Sequence, residues 1–193
     1  KQCLAALYEH YGAYDKAMKT LEDAHKRVEK KDTSKFKIMR LAHLHEAMGD
    51  IAIKMKDIDS AKKHFQTAAD LFPTSNQPYG KEKLKPSSER CKRKIARLDI
   101  ANLANAQLKD GTYNAQQQAY SGVLKLQVTI KNNKISTCKV SNHKEKIHQG
   151  SIQSVPARIL DQQTVEVDGV LGATVTSDAI KDCTFQCLKR AGL

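Results

Sequence analysis

The spacing of apolar residues changes close to Asp110 in this chain of 193 residues. Before that point, apolar and small residues recur every three or four positions, which is typical of amphipathic helices. Beyond it, every second residue from Leu124 to Ile130 is apolar, which is typical of a strand with one buried face. The sequence therefore predicts an α+β architecture in which an all-α segment precedes a small α+β domain.

Paired helices recur within the N-terminal segment. Breaks at residues 12–15 and 56–59 each divide two helical stretches, and similar residues follow both breaks. The matching positions are Ala17, Leu21 and Ala24 in the first copy and Ala61, Phe65 and Ala68 in the second. This pattern resembles the tetratricopeptide repeat, in which small residues allow two antiparallel helices to pack closely. The copies are 44 residues apart, so about ten residues beyond that family's repeat of about 34 are expected around residues 28–37.

A basic segment follows the repeats. Residues 73–80 are rich in turn-forming residues and predict a linker, and a long helix is expected next, capped by Ser87 or Ser88 and running to about Lys109. The stretch 81–97 carries a net charge of +6, half of the formal +12 of the chain. It contains no aromatic residue for base stacking, so nucleic acid is not an expected partner. A solvated helix face, an acidic protein partner and lipid headgroups are the alternatives.

The predicted organisation is helical repeats at 1–80, a basic linking helix at 81–109 and an α+β domain at 110–193. In the last of these, Asn132 and Asn133 predict a hairpin turn, and the return strand is expected to face inward at Ile135, Thr137 and Lys139. Residues 151–163 predict a helix interrupted by proline, and residues 164–167 a short strand. A last helix is expected at about 178–190, with two buried cysteine thiols, Cys183 and Cys187, on one face.

Small residues and hydroxyls precede this last helix. Gly169 and Gly172 permit backbone angles closed to other residues, while Ser177 with Asp178 is a helix-start pattern. A helix N-terminus offers unpaired N–H groups and the positive end of its dipole, so it can receive a phosphate. On the local pattern alone, an ordinary connection between elements is the commoner explanation.

The same residues resemble the attachment motif of the FMN-binding domain family, which includes flavin subunits C and G of the sodium-pumping NADH:quinone oxidoreductase and of the Rnf complex. That motif is Asp, two variable residues, Ser or Thr, Gly or Ala, Ala, Thr, and it aligns with residues 168–174. Upstream, residues 110–113, 120–124, 128–135 and 143–145 resemble the family's opening strands in order and spacing. The resemblance implies that Thr174 carries FMN through a phosphoester. Leu171 stands where the family usually has Ser or Thr, and non-covalent FMN is the alternative.

The resemblance also implies a set of cofactor-binding residues. The attachment segment contributes Asp168, Gly172, Ala173, Thr174, Thr176 and Ser177. Candidates for lining the isoalloxazine ring or supporting its pocket are Tyr120, Gly122, Leu124, His143 and Glu145. A separate flavin transferase takes FMN from FAD with the help of magnesium, and Asp168 is expected to serve its recognition. The threonine is then an acceptor, and neither a catalytic residue nor a metal site is expected.

The predicted function is a flavoprotein electron-transfer module. The helical repeats are expected to hold a redox partner protein or another protein or peptide ligand, in a periplasmic or membrane-associated setting in a bacterium. The first residues already follow a helical pattern, so the chain is expected to be part of a longer polypeptide that carries any export signal or anchor. A second hypothesis is a repeat-based adaptor whose FMN-like domain has lost its cofactor, and a third is a binder of anionic surfaces.

Overall fold

The computed structural model describes residues 2–75, 80–98, 106–146 and 149–193. The chain divides into two compact units, Lys1–Leu98 and Asp99–Leu193. In its described part the first unit is helical, whereas the second combines an antiparallel sheet with helices. An α+β architecture with a helical N-terminal half is therefore confirmed. No helix among the described residues is long and apolar enough to cross a membrane.

Five α-helices form the described part of the first unit, and each packs against the next one along the chain. They are α1 (Gln2–His10), α2 (Tyr14–Lys31), α3 (Lys37–Lys54), α4 (Ile58–Leu71) and α5 (Gly80–Leu98), with a 3₁₀ turn at Phe72–Thr74. All six residues matched between the two predicted copies are buried. The loop between α2 and α3 is only residues 32–36, so the additional residues of the first copy lie mainly in longer helices.

Helices α3 and α4 approach closely at Gly49. A Cβ atom at this position would lie 2.6 Å from Cε1 of Phe65, whose side chain is fully buried. Gly49→Ala should lower the free energy of unfolding by about 1–3 kcal/mol, because the ring and both helices would have to move apart. Urea denaturation followed by circular dichroism measures this effect. Gly150→Ala is the control, since its Cβ would meet nothing within 4 Å, and equal stability of the two variants would contradict the close approach.

Helix α5 begins earlier than predicted. Pro86 lies inside it, and Ser88 is buried with its hydroxyl donating to the carbonyl oxygen of Ala69 at 2.7 Å, so neither Ser87 nor Ser88 caps the helix. Its predicted end is also wrong, because residues 106–109 are not helical. The amides of Leu108 and Lys109 bond instead to Asn133 Oδ1 and Ala191 O in the second unit, both at 2.7 Å. The intervening residues 99–105, with Leu103, lie outside the described residues.

Part of the basic stretch bridges α5 to α3. Arg90 donates to both carboxylate oxygens of Glu46 at 2.8 Å, and Lys94 donates to Asp50 at 2.8 and 3.0 Å and to Glu46 at 3.4 Å. Burial alone would raise the pKa of Glu46, but the charges of Lys94 and Arg90 and the hydrogen bonds to the carboxylate hold it well below its ordinary value. The stretch is therefore not simply a solvated face, although the side chains of residues 81–83 lie outside the described residues.

Three histidines that are scattered in the sequence meet in the first unit. His25, His45 and His64 come from α2, α3 and α4, with Nδ1 of His45 3.0 Å from Nδ1 of His64 and the rings of His25 and His45 centred 4.8 Å apart. Among the described residues, no three His, Cys, Asp or Glu side chains are arranged to hold a metal ion. Burial lowers the pKa of His45 to about 4, with a smaller effect from His25 and His64. Burial also lowers the pKa of His64.

This cluster predicts acid destabilisation of the first unit. Because the folded pKa of His45 lies below its unfolded value, the unfolded chain binds the proton more readily, and stability falls as pH decreases from about 6.5 to about 4. Allowing for solvent screening of a half-buried group, the loss should be about 1–2 kcal/mol. Urea denaturation across this range should show a shallower pH dependence in His45→Gln than in the wild type. The exposed His10→Gln is the control, and parallel curves for all three proteins would contradict the prediction.

The second unit is a three-stranded antiparallel sheet covered by two helices. Its elements are β1 (Gly111–Gln118), β2 (Val123–Lys131), β3 (Lys134–Asn142), α6 (Gln149–Gln162) and α7 (Thr174–Ala191), with strand order β1-β2-β3. The predicted alternation is confirmed, since Leu124, Leu126, Val128 and Ile130 are all fully buried. The predicted hairpin is confirmed as well, with φ of 52° at Asn132 and 62° at Asn133.

The facing of β3 differs from the prediction. The register between β2 and β3 shifts by one residue at Ser136, whose hydroxyl donates to the carbonyl oxygen of Thr129 at 3.0 Å. Beyond this bulge the alternation is reversed, so the half-buried residues are Cys138 and Val140 rather than Thr137 and Lys139. The position of a bulge depends on how a strand pairs with its neighbour. The spacing of apolar residues along a single strand carries no information about that pairing.

Two further predictions for the second unit are wrong. Helix α6 continues through Pro156, because packing of Val155 and Ile159 in the core outweighs the loss of one backbone hydrogen bond. Residues 164–167 form no strand, although Val165 and Val167 are both buried as alternation requires.

The two cysteines of α7 are confirmed as buried thiols, and burial raises the pKa of Cys183 to about 12 and of Cys187 to about 11.

Candidate functional site

The predicted attachment segment forms a turn that leads directly into α7. The helix begins at Thr174, four residues earlier than predicted, with Ala173 as its N-cap residue. The carbonyl of Ala173 accepts the Ser177 amide at 2.9 Å, so Ser177 is already inside the helix. Its hydroxyl oxygen accepts the amide of Val170 at 3.1 Å instead of capping the helix. Ser177 thus ties the turn to the first helical turn.

The Thr174 side chain is exposed at the first position of this helix. Gly172 has a φ of 77°, and a Cβ atom there would meet nothing within 4 Å, so the space beside the turn is open. The amides of the first helical turn have no partners within the helix and carry the positive end of its dipole. A phosphate bonded to Thr174 would meet open space and a favourable field. Leu171, at the tip of the turn, is 97% exposed.

Arg158 on α6 holds the other end of the turn. Its Nη1 donates to the carbonyl oxygens of Asp168 at 2.6 Å and Gly169 at 2.9 Å. The Asp168 side chain is exposed. Sequence reasoning missed Arg158, because the residue lies in a separate helix and its role depends on the packing of α6 beside the turn.

A buried carboxylate joins the turn between β1 and β2 to α7. Glu145 is 3% exposed, and its Oε1 accepts the amide of Ser121 at 2.7 Å while its Oε2 accepts the hydroxyl of Thr176 at 3.0 Å. Thr176 is fully buried. Ser121, which bonds to the other oxygen of the carboxylate, directly follows Tyr120 and precedes Gly122, and Tyr120 is 64% exposed. The structure therefore brings together candidates from three separate stretches of sequence. Ser121 was not among the predicted residues.

Of the remaining predicted residues, Gly122 lies in this same β1–β2 turn, whereas Leu124 lies in the core and His143 is exposed. Leu124 is fully buried in the hydrophobic core, packed among the residues that join the sheet to α6 and α7. His143 is exposed just after β3, two residues before Glu145. Gly122 accepts the amide of Ala119 through its carbonyl at 2.8 Å and so closes the β1–β2 turn.

Residues 119–189 match the model of the FMN-binding domain family. The matched region is an FMN-binding domain, and FMN is its cofactor. It contains the Glu145 contacts, the turn and nearly all of α7, so the match covers the site described above. The residues fit the group, because an exposed hydroxyl, an open glycine turn and a helix N-terminus lie together at Thr174.

Two relatives match about half of the chain. An uncharacterised protein of Treponema pallidum (strain Nichols) is 37% identical over 89 residues, which are 45% of this chain and 25% of that protein. The NADH:acrylate oxidoreductase of Vibrio harveyi is 34% identical over 97 residues, which are 48% of this chain and 10% of that protein. The chain thus corresponds to a minor part of each relative.

Proposed function

We propose that this chain is a flavoprotein electron-transfer module that carries FMN on Thr174 through a phosphoester. The observation that carries the proposal is the exposed Thr174 at the first position of α7. The preceding turn has the motif residues Asp168, Gly172 and Ala173 in the family's spacing. Support for a redox role comes from the relative named as an oxidoreductase.

The residues of the domain have separate tasks in this proposal. Thr174 supplies the hydroxyl to which a flavin transferase joins FMN, and the exposed Asp168 carboxylate is available for recognition by that enzyme. Gly172 leaves room for the phosphate, and the first-turn amides of α7 stabilise its charge. Bound FMN supplies the capacity to accept and release electrons, and protein groups around it tune its potential.

The helical unit is proposed to be a tetratricopeptide-like docking domain for a redox partner or another protein or peptide. Stacked helix pairs with small residues at their contacts support this, most directly the close approach of Gly49 to Phe65. A periplasmic or membrane-associated setting in a bacterium is proposed from the family resemblance. The protein would then bring a partner and the flavin together on one chain.

An adaptor that binds FMN non-covalently, or not at all, is the second candidate function. The observation in its favour is Leu171, which replaces the usual Ser or Thr of the attachment motif and is 97% exposed. A flavin transferase that recognises a hydroxyl group at position 171 would meet an apolar side chain in this protein.

Coexpression with a bacterial flavin transferase, followed by intact mass and visible absorption spectra, tests these functions. The proposal predicts a gain of one covalently bound FMN per chain. Yellow protein without the mass gain would indicate non-covalent FMN. Protein without flavin by either measurement, alongside a flavinylated control substrate of the same transferase, would contradict the proposal and favour the adaptor.

Leu171→Thr should raise the rate of flavinylation, because it restores the family's residue in the motif. Its effect on the free energy of unfolding should stay within about 0.5 kcal/mol, since the side chain makes almost no buried contact. Intact mass at timed intervals with purified transferase measures the rate. Val175→Thr is the matched control, because Val175 is exposed beside Thr174 but outside the motif. A rate unchanged by Leu171→Thr would show that the transferase does not read this position.

A further inference from the structure

A carboxylate with no cationic partner among the described residues lies buried next to the attachment turn. Glu145 is 3% exposed, and its hydrogen-bond donors in the described part of the chain are the neutral groups of Ser121 and Thr176. Burying a carboxylate is costly unless hydrogen bonds replace its water, and no ion pair from the described part of the chain contributes to this site. The two segments that the Glu145 carboxylate joins by hydrogen bonds therefore indicate its role.

The carboxylate connects the inner sides of two segments whose outer sides face solvent. Thr176 is fully buried whereas Thr174 is exposed, because residues two apart on an α-helix point about 200° from one another. In the β1–β2 turn, the amide of Ser121 bonds to Glu145 while the adjacent Tyr120 is 64% exposed. One carboxylate thus links the turn that presents Tyr120 to the helical turn that presents Thr174.

We propose that Glu145 is a positioning residue for the cofactor. Its carboxylate holds the β1–β2 turn against the first turn of α7, so that FMN attached at Thr174 lies beside Tyr120 and does not rotate freely on its link. This inference rests on the proposed function, since it concerns the orientation of bound FMN. Loss of the Thr176 hydroxyl removes the donor that α7 contributes and leaves the two segments without their bridge.

The test compares Thr176→Val, which removes the donor, with Thr176→Ser, which keeps it. Each variant is loaded with FMN by coexpression with the flavin transferase, and quenching of flavin fluorescence by iodide reports how open the flavin is. The quenching constant should rise about three- to tenfold in Thr176→Val. This is the change in an equilibrium constant that corresponds to the net contribution of one hydrogen bond. Thr176→Ser should restore it towards the wild-type value.

Thr184→Val is the matched control. Thr184 is also a fully buried threonine of α7, but its hydroxyl donates to the carbonyl of Ile180 at 3.0 Å and lies 3.6 Å from Cys138 Sγ, instead of bonding to Glu145. A general loss of packing would raise quenching in both valine variants, whereas loss of the bridge raises it only in Thr176→Val. Equal quenching in Thr176→Val and the wild type, or an equal rise in Thr184→Val, would overturn the inference. Glu145→Met, which keeps the length of the side chain but removes both acceptor oxygens, replaces Thr176→Val in the comparison if the latter does not fold.

Hydrogen exchange of the flavin-free chain separates this inference from the proposed function. The Ser121 amide should exchange about three- to tenfold faster in Thr176→Val than in the wild type or Thr184→Val, because its acceptor is no longer anchored to α7. A wild-type chain that takes up no FMN would refute the proposed function, while the exchange of Ser121 would still report the bridge. Unchanged exchange in Thr176→Val would refute the positioning role, whatever the flavin content.

Discussion

Thr174→Ala should abolish covalent incorporation of FMN while leaving the fold intact. The proposed phosphoester needs a hydroxyl at this position, and the buried Thr176 hydroxyl cannot substitute, because it faces the interior and donates to Glu145. An exposed threonine at the start of a helix contributes little packing, so stability should change by no more than about 0.5 kcal/mol. Intact mass after coexpression with flavin transferase should show the FMN adduct in the wild type and none in the variant.

Two companion variants make this result specific. Thr174→Ser keeps a hydroxyl at the same place and should retain some covalent FMN, whereas Thr176→Ser keeps the buried hydrogen bond and should be flavinylated through Thr174. An FMN adduct that persists in Thr174→Ala would assign the attachment to another residue and contradict the proposed site. Non-covalent FMN that co-purifies equally with the wild type and Thr174→Ala would favour a carrier that does not use the phosphoester.

Glu46→Gln should lower the free energy of unfolding of the helical unit by about 3 kcal/mol, because it removes the negative charge that Glu46 supplies to two buried cations. Arg90 and Lys94 both donate to this carboxylate, and the Lys94 side chain is only 4% exposed. Since Lys94 also binds Asp50, the loss should fall at the lower end of the range for a broken buried pair. Urea denaturation at neutral pH measures it.

The pH dependence of the free energy of unfolding tests the Glu46 carboxylate a second time. Its folded pKa lies below its unfolded value, so its contribution is present above the unfolded pKa of about 4.3 and is lost as pH falls further. The difference between the wild type and Glu46→Gln should therefore shrink below about pH 4. Glu29→Gln is the control, since the Glu29 side chain is 62% exposed and its carboxylate lies 4.0 Å from His25 Nδ1. A constant difference from pH 7 to pH 3 would contradict this account.

Motifs and periodicity predicted much of the flavin domain. Two of its features are local properties, namely the alternation from Leu124 to Ile130 and the turn at Asn132 and Asn133. The side of the sheet to which a side chain points and the left-handed backbone angles of a turn both depend on residues that are adjacent in sequence. The family motif likewise indicated the FMN-binding domain before any contact was known. The start of α7 was misplaced by four residues because Ser177, a good cap by type, bonds to Val170 instead.

The sequence by itself determined the helical first half, the strand pattern of the second half and FMN as the cofactor. Tertiary structure decided the contacts between distant segments: Glu145 with Ser121 and Thr176, Arg158 with the turn, and Glu46 with the cations of α5. The physical reason is that helical and strand periodicities reflect local sterics and burial, whereas a buried charge is satisfied by whichever donors the packed chain brings within hydrogen-bond distance.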